Sequence, residues 1–189
     1  MDMDIVPLFP TALGKVSNFI TDKERIQLIK SIRDTKHVNH GAIRGDGVST
    51  FNSNTSVVNK DILNRLQGQC NEYARKYGAK DNLKLDNIWS NIQNSNSVLD
   101  EHCHPQSILS GALYLNVDDS CAITFHNPNP YIYFTYFMER NPFNYEWYKF
   151  SVNNADLVLF PSWLRHGYYN HVNTMDNRMV VSFNTYYEK

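Results

Sequence analysis

The segment Arg178-Met179-Val180-Val181-Ser182-Phe183-Asn184 alternates between a mixed, partly polar set of side chains and an apolar set. Successive residues of a β-strand point to opposite faces of the sheet, so Met179, Val181 and Phe183 share one apolar face. That face is expected to pack on a hydrophobic core, and the opposite face, which begins with Arg178, is expected to line a cavity. The stretch therefore predicts a strand with a core on one side and a cavity on the other.

The same period of two continues back through the chain to about residue 83. Turn-forming Asn, Asp and Pro residues separate the alternating runs from one another. Many short strands closed by such turns are typical of a sandwich or jelly roll, so the fold class is mainly β with N-terminal helices. The predicted strands cover residues 83–93, 107–117, 121–125, 131–137, 146–151, 156–160 and 178–187.

The N-terminal part of the chain has helical patterns instead. Thr21-Asp22-Lys23-Glu24 is a capping box and predicts a helix over 22–34, and a second apolar periodicity predicts a helix over 60–77. The glycine-rich segment 41–49 between them is expected to be a loop. We expect one domain over residues 1–189, in which about 1–80 form a helical support region and about 81–189 form the jelly-roll core that carries the site.

Composition narrows the range of functions. The chain has 189 residues and a formal net charge of -1, so no strong electrostatic field favours nucleic acid or an anionic membrane. The acidic start Met1-Asp2-Met3-Asp4 is not followed by a long apolar run, which argues against a signal peptide and a membrane span. Cys70, Cys103 and Cys121 are far apart and odd in number, which fits a reducing cytoplasm.

Three histidines have a spacing that suits a metal site. His102 and His104 are two residues apart, so on an extended segment both rings face one ion while Cys103 points away. Pro105 then ends regular strand pairing. His166 comes from a distant strand, and three ligands on one side of an octahedral metal leave positions open for cosubstrate and oxygen. The other reading is that these are ordinary core or surface histidines.

Arg178 opens its strand shortly after His166, so a hairpin is expected to bring both to the same end of the sheet. A guanidinium in a mostly apolar cavity needs an anionic partner, because an unpaired buried charge is costly. A dicarboxylate that accepts two hydrogen bonds is the best match. A structural salt bridge is the alternative role for this arginine.

Five segments of the C-terminal half carry a family resemblance: Trp89–Ile92, His102–Ser107, Leu109–Leu115, Leu157–His166 and Arg178–Asn184. Together they resemble the 2-oxoglutarate- and Fe(II)-dependent oxygenases related to prolyl 4-hydroxylases. The resemblance implies a double-stranded β-helix, also called a jelly-roll or cupin-like fold. It also implies Fe(II), 2-oxoglutarate and O2 as cofactor and cosubstrates, with release of succinate and CO2.

The resemblance also implies roles for single residues. His102 and His166 match the two histidine ligands of iron. Arg178 matches the residue that pairs with the far carboxylate of 2-oxoglutarate. Tyr114 resembles residues that contact the cosubstrate.

The chain departs from the family pattern at two positions. His104 stands where the family has an Asp or Glu ligand, and Asp100 is a second candidate for that carboxylate. Val180 stands where a serine commonly follows the arginine by two residues, and Ser182 lies on the same face and could substitute for it.

The function expected from the resemblance is a 2-oxoglutarate- and Fe(II)-dependent dioxygenase that hydroxylates an unidentified small-molecule or peptidyl substrate. Two alternatives stay open at this point. One is a non-catalytic β-sandwich binding module with a structural metal or none. The other is a three-histidine cupin-like dioxygenase that does not use 2-oxoglutarate. The aromatic segment 126–148 is expected to form a lid or a substrate platform, or else to be ordinary packing.

Overall fold

The fold is seen in a computed structural model that describes residues 3–51, 53, 57–135, 139–167 and 172–187. Within these ranges, helices α1 (Asp22–Arg33) and α2 (Lys60–Lys76) precede most of the strands. The strands are β1 (Gly14–Val16), β2 (Val38–Asn39), β3 (Ile43–Arg44), β4 (Gly47–Ser49), β5 (Leu83–Gln93), β6 (Val98–Leu99), β7 (Leu109–Asn116), β8 (Ala122–His126), β9 (Trp147–Ser151), β10 (Leu157–Pro161), β11 (His166–Gly167) and β12 (Arg178–Tyr187).

Antiparallel pairing joins these strands into two main sheets. The major sheet has the order β1-β10-β7-β12-β5-β4-β2, and the minor sheet has the order β11-β8-β9. Strands β3 and β6 form a separate pair. Apolar residues of β7, β10 and β12 pack against residues of β8 in a core between the two sheets. The architecture is a double-stranded β-helix, as the strand pattern and the resemblance predicted.

The central strands of the major sheet, β7, β10 and β12, are buried on both faces, and β12 illustrates the division. Met179, Val181 and Phe183 point into an outer core that the two helices cover, whereas Val180 points into the core between the sheets. The predicted alternation of this strand is therefore confirmed. Because β12 lies between β5 and β7, its side chains have neighbours on both sides.

Both helices begin at the expected residues. The Thr21 hydroxyl accepts from the Glu24 backbone N–H at 3.3 Å, and a Glu24 carboxylate oxygen accepts from the Thr21 N–H at 2.8 Å, which completes the capping box. On α2 the buried face runs through Leu66 and Cys70 to Ala74. Tyr77, the last residue of the predicted helix, is its C-cap and is half exposed.

Two local expectations were wrong. Residues 130–135 form a 3-10 helix where a strand over 131–137 had been predicted, and 136 and 137 lie outside the described residues. The cause is local: the Asn129 side chain accepts from the Tyr131 N–H at 3.0 Å, and Pro130 suits the first helical position. The expected loop 41–49 contains the short strands β3 and β4, and β4 joins the major sheet beside β5.

Across the described ranges, neither helix combines the length and the apolar composition that crossing a lipid bilayer would require.

Two glycines allow a matched test of this packing. A Cβ at Gly111 of β7 would overlap the ring of Phe183 on β12, so Gly111→Ala should lower the free energy of unfolding by roughly 1–3 kcal/mol. A Cβ at Gly68, inside α2, meets nothing within 4 Å. Gly68→Ala should therefore raise the free energy of unfolding by roughly 0.5–1 kcal/mol. Urea denaturation of both variants measures the two effects. A Gly111→Ala protein with the same free energy of unfolding as the parent would contradict the assigned packing.

Candidate active site

Backbone hydrogen bonds place the three histidines. The N–H of His102 donates to the carbonyl of His166, and the N–H of His166 donates to the carbonyl of His102, both at 2.9 Å. Two residues further on, the N–H of His104 donates to the carbonyl of Ser162 at 2.8 Å. The segment that carries the first two histidines therefore runs antiparallel to the segment that leads into β11.

The three imidazole rings converge. Their centroids are 5.0 Å apart for His102 and His104, 4.5 Å for His102 and His166, and 5.3 Å for His104 and His166. One candidate ligand atom from each ring lies within 4.8 Å of the other two. Nitrogens that bind one octahedral ion at about 2.1 Å lie on the order of 3 Å apart, so the three ligand atoms are at most about 2 Å farther apart than such an ion requires. The structure thus brings together the triad that the sequence predicted.

Two of the rings have a fixed tautomer. Nδ1 of His102 lies 2.7 Å from the Asp100 carbonyl oxygen, and Nδ1 of His166 lies 2.8 Å from the Leu164 carbonyl oxygen. A carbonyl oxygen can only accept, so each Nδ1 is the protonated donor, and in the neutral ring Nε2 then carries the lone pair. Metal-binding histidines are commonly oriented in this way, by a backbone carbonyl on the other ring nitrogen.

The surroundings keep two of the rings, those of His104 and His166, neutral. Burial, and then the neighbouring His102, lower the pKa of His166 to about 3. Burial, and then the same neighbour, lower the pKa of His104 to about 4. A metal competes only with protons that a ligand holds, so rings that are neutral near pH 7 suit a metal site.

Asp100, the second candidate for the third ligand, lies outside the cluster. Its carboxylate pairs with the guanidinium of Arg44 at 2.6 Å. Its backbone carbonyl instead orients His102. Among the described residues, the third side chain of the cluster is therefore His104 and not Asp100.

One cavity of about 200 Å³ is lined by the three histidines together with Arg178, Tyr114 and Ser182. Arg178 is 6% exposed, and its guanidinium carbon lies 5.8 Å from the centroid of the Tyr114 ring. Its Nη1 donates to the side-chain oxygen of Gln93 at 2.7 Å. All six residues proposed from the sequence therefore face the same space.

The donors in this cavity fit a dicarboxylate. The described part of its lining contains the Arg178 guanidinium and no Asp or Glu. The buried Nε2 of Gln93 has no hydrogen-bond partner among the described residues. A cavity with a buried cation, an unsatisfied amide donor and three converging imidazoles has the chemistry to take a metal ion and an anion together.

Several residues that line the cavity, among them His40, Phe51 and Gln93, were not predicted as site residues. His40 packs edge-on against Phe51 at 5.0 Å, Phe51 packs against Trp89 at 5.0 Å, and Trp89 lies 5.9 Å from His104. Burial, and then the nearby His102, lower the pKa of His40. Phe51 lies in an Asn/Ser/Thr-rich stretch, where no pattern signals burial. Gln93 ends a predicted strand, but only strand register shows that it faces Arg178.

The fold and the site define a double-stranded β-helix in which a three-histidine cluster and a buried arginine line one cavity. The family model of the 2OG-Fe(II) oxygenases matches residues 87–184, which is just over half of the chain and includes all six residues proposed for the site. The chain belongs to this family. It is an oxidoreductase that uses Fe(II), 2-oxoglutarate and O2. No curated protein sequence matches the chain.

Solved structures agree on the fold. HygX from Streptomyces hygroscopicus, solved with nickel and 2-oxoglutarate bound, has a TM-score of 0.62 and 11% identity over 93% of this chain and 82% of its own. The viral collagen prolyl hydroxylase vCPH from Paramecium Bursaria Chlorella virus-1 has a TM-score of 0.60 and 12% identity over 92% and 94%. An oxidoreductase of the 2OG-Fe(II) oxygenase family from Burkholderia pseudomallei has a TM-score of 0.62 and 12% identity over 92% and 83%.

The lowered pKa values predict how the stability of the metal-free protein depends on pH. Below about pH 6.5 the unfolded chain takes up protons on His104 and His166, whereas the folded protein does not. The free energy of unfolding should therefore fall as the pH is lowered from 7 to 5. Urea denaturation in the presence of a chelator measures this slope. The double variant His104→Asn/His166→Asn should have a shallower slope, and an equally steep one would contradict the assignment.

Proposed function

We propose that His102, His104 and His166 hold the iron and that Arg178 binds the far carboxylate of 2-oxoglutarate. Tyr114 and Ser182 line the space between, where they contact the cosubstrate. The single observation that carries this proposal is that three imidazoles and a buried guanidinium share one cavity of about 200 Å³.

The bound iron supplies oxidation of a substrate C–H bond, coupled to decarboxylation of 2-oxoglutarate to succinate and CO2. The protein's own residues bind and orient the cosubstrate, and they exclude water from the cavity. Arg178 fixes one end of the cosubstrate, and the buried Tyr114 ring shields the guanidinium from solvent, which strengthens the ion pair. The reaction we propose is hydroxylation.

The third histidine has an electrostatic consequence. A neutral imidazole at His104, in place of a carboxylate, leaves the full charge of the metal uncompensated by the protein. The dianionic cosubstrate then supplies the negative charge, so metal and 2-oxoglutarate should each strengthen the binding of the other. An all-imidazole site also accepts copper, nickel and zinc, which bind such ligands at least as tightly as Fe(II) does.

The proposed substrate is a small molecule or a peptidyl side chain. The wall formed by His40, Phe51 and Trp89 offers aromatic faces beside the histidines, which suit an apolar or planar group. The net charge of -1 gives no support to nucleic acid as a partner.

We further propose a cytoplasmic location, which the three free cysteines support.

Anaerobic spectroscopy tests the metal ligands. Fe(II) and 2-oxoglutarate added to the parent protein should give a weak visible charge-transfer band, because the keto acid chelates the iron. His166→Ala should lose the band, and His126→Gln, which changes a histidine outside the cluster, should keep it. A band that survives in His166→Ala would contradict the ligand assignment. Oxygen consumption that does not require 2-oxoglutarate would contradict the proposed reaction.

Calorimetry tests the role of Arg178. With Mn(II) in place of iron, Arg178→Met should weaken 2-oxoglutarate binding by roughly 2–5 kcal/mol, the range for removing one partner of a buried charged pair. Arg165→Met is the matched control, because Arg165 is largely exposed and pairs with Glu101. Equal affinities in Arg178→Met and the parent protein would remove this arginine from the site.

A further inference from the structure

Gln93 has an orientation that its neighbour dictates. It lies at the end of β5 directly opposite Arg178 in the β5–β12 register, it is 1% exposed, and it lines the cavity of the histidine cluster. A guanidinium can only donate hydrogen bonds, so the Gln93 oxygen must face Arg178, where Nη1 donates to it at 2.7 Å. The amide nitrogen therefore points away from Arg178.

That amide nitrogen needs an acceptor. Nε2 of Gln93 is fully buried and has no hydrogen-bond partner among the described residues. Buried amide donors in folded proteins are nearly always paired, so an unpaired one on a residue that lines a cavity indicates that water or a ligand supplies its acceptor. The described lining offers no carboxylate that could serve. The acceptor is then expected to come from a ligand.

The strand packing holds Gln93 in place. It is flanked by Arg178 on one side and by Gly47 of β4 on the other. A Cβ at Gly47 would lie 3.4 Å from Cγ of Gln93 and 2.5 Å from the Ile43 side chain, so the glutamine stem fills the space beside this glycine. The amide is thus fixed on a central strand rather than on a loop, and its donor is preorganised.

We infer that Gln93 is a second residue that binds the far carboxylate of 2-oxoglutarate: Nε2 donates to the carboxylate while Oε1 orients Arg178. This inference rests on the proposed function of Arg178. The pair gives the cavity two different donors for one carboxylate, of which only the guanidinium is charged. A cosubstrate that lacks the far carboxylate would leave both donors unsatisfied, so the pair selects for a dicarboxylate.

Binding measurements on two keto acids test the selection. 2-Oxopentanoate has the same carbon chain as 2-oxoglutarate but ends in a methyl group. In Mn(II)-loaded protein, Gln93→Leu should weaken binding of 2-oxoglutarate about ten- to hundredfold, the range for losing a hydrogen bond to a charged group. It should leave binding of 2-oxopentanoate unchanged. The control Gln27→Leu, at an exposed position on α1, should change neither affinity.

A spectroscopic readout separates direct binding from a role in holding Arg178. In Zn(II)-loaded, 15N-labelled protein, the side-chain amide resonances of Gln93 are the pair that is missing from the spectrum of Gln93→Leu. They should shift on addition of 2-oxoglutarate and stay in place on addition of 2-oxopentanoate. If 2-oxoglutarate binds and these resonances do not move, Gln93 merely positions Arg178 and the inference is overturned. If the parent protein binds both keto acids equally well, the proposed role of Arg178 fails as well.

Discussion

The reciprocal backbone hydrogen bonds between His102 and His166 are the contact on which the site depends. They join a segment before β7 to β11, and they determine which side chains face the cavity. A shift of register by one residue would turn the His102 ring to the opposite face. The close approach also requires Gly167, where φ is +142° and a Cβ would lie 2.8 Å from the carbonyl oxygen of Asp100.

A buried polar network ties this contact to the major sheet. The carbonyl of Ser162 accepts from the His104 N–H, and its hydroxyl lies 2.8 Å from the hydroxyl of Ser110 on β7. Ser110 donates in turn to the side chain of Asn184 on β12 at 2.7 Å. Since Ser162, Ser110 and Asn184 are all buried, these bonds act in a poorly solvated interior, where satisfied polar groups favour one arrangement. The same strand, β12, therefore anchors the histidine segment at one end and presents Arg178 at the other.

The sequence predicted strands correctly where apolar and polar side chains alternate and no local side-chain hydrogen bond favours another conformation. It failed where such a hydrogen bond stabilises a helical turn. The run that became β5 was predicted at residues 83–93, and the structure has it at Leu83–Gln93. The aromatic run after Asn129 also alternates, yet the asparagine side chain and Pro130 stabilise a helical turn there. The segment 41–49 has too few residues per strand for a period to be visible, so β3 and β4 emerged only from their pairing with β6 and β5.

The amino-acid sequence by itself determined the class of this protein: the family pattern over residues 87–184 defines an iron- and 2-oxoglutarate-dependent oxygenase. It also determined that β12 divides its residues between a core and a cavity, because that division follows from a period of two along one strand. The tertiary structure alone decided that Asp100 pairs with Arg44, which leaves His104 as the third side chain of the histidine cluster. It also decided that Gln93 faces Arg178. Both depend on which strands become neighbours and in what register, and contacts between residues so distant in the chain leave no trace in the order of residues along a single strand.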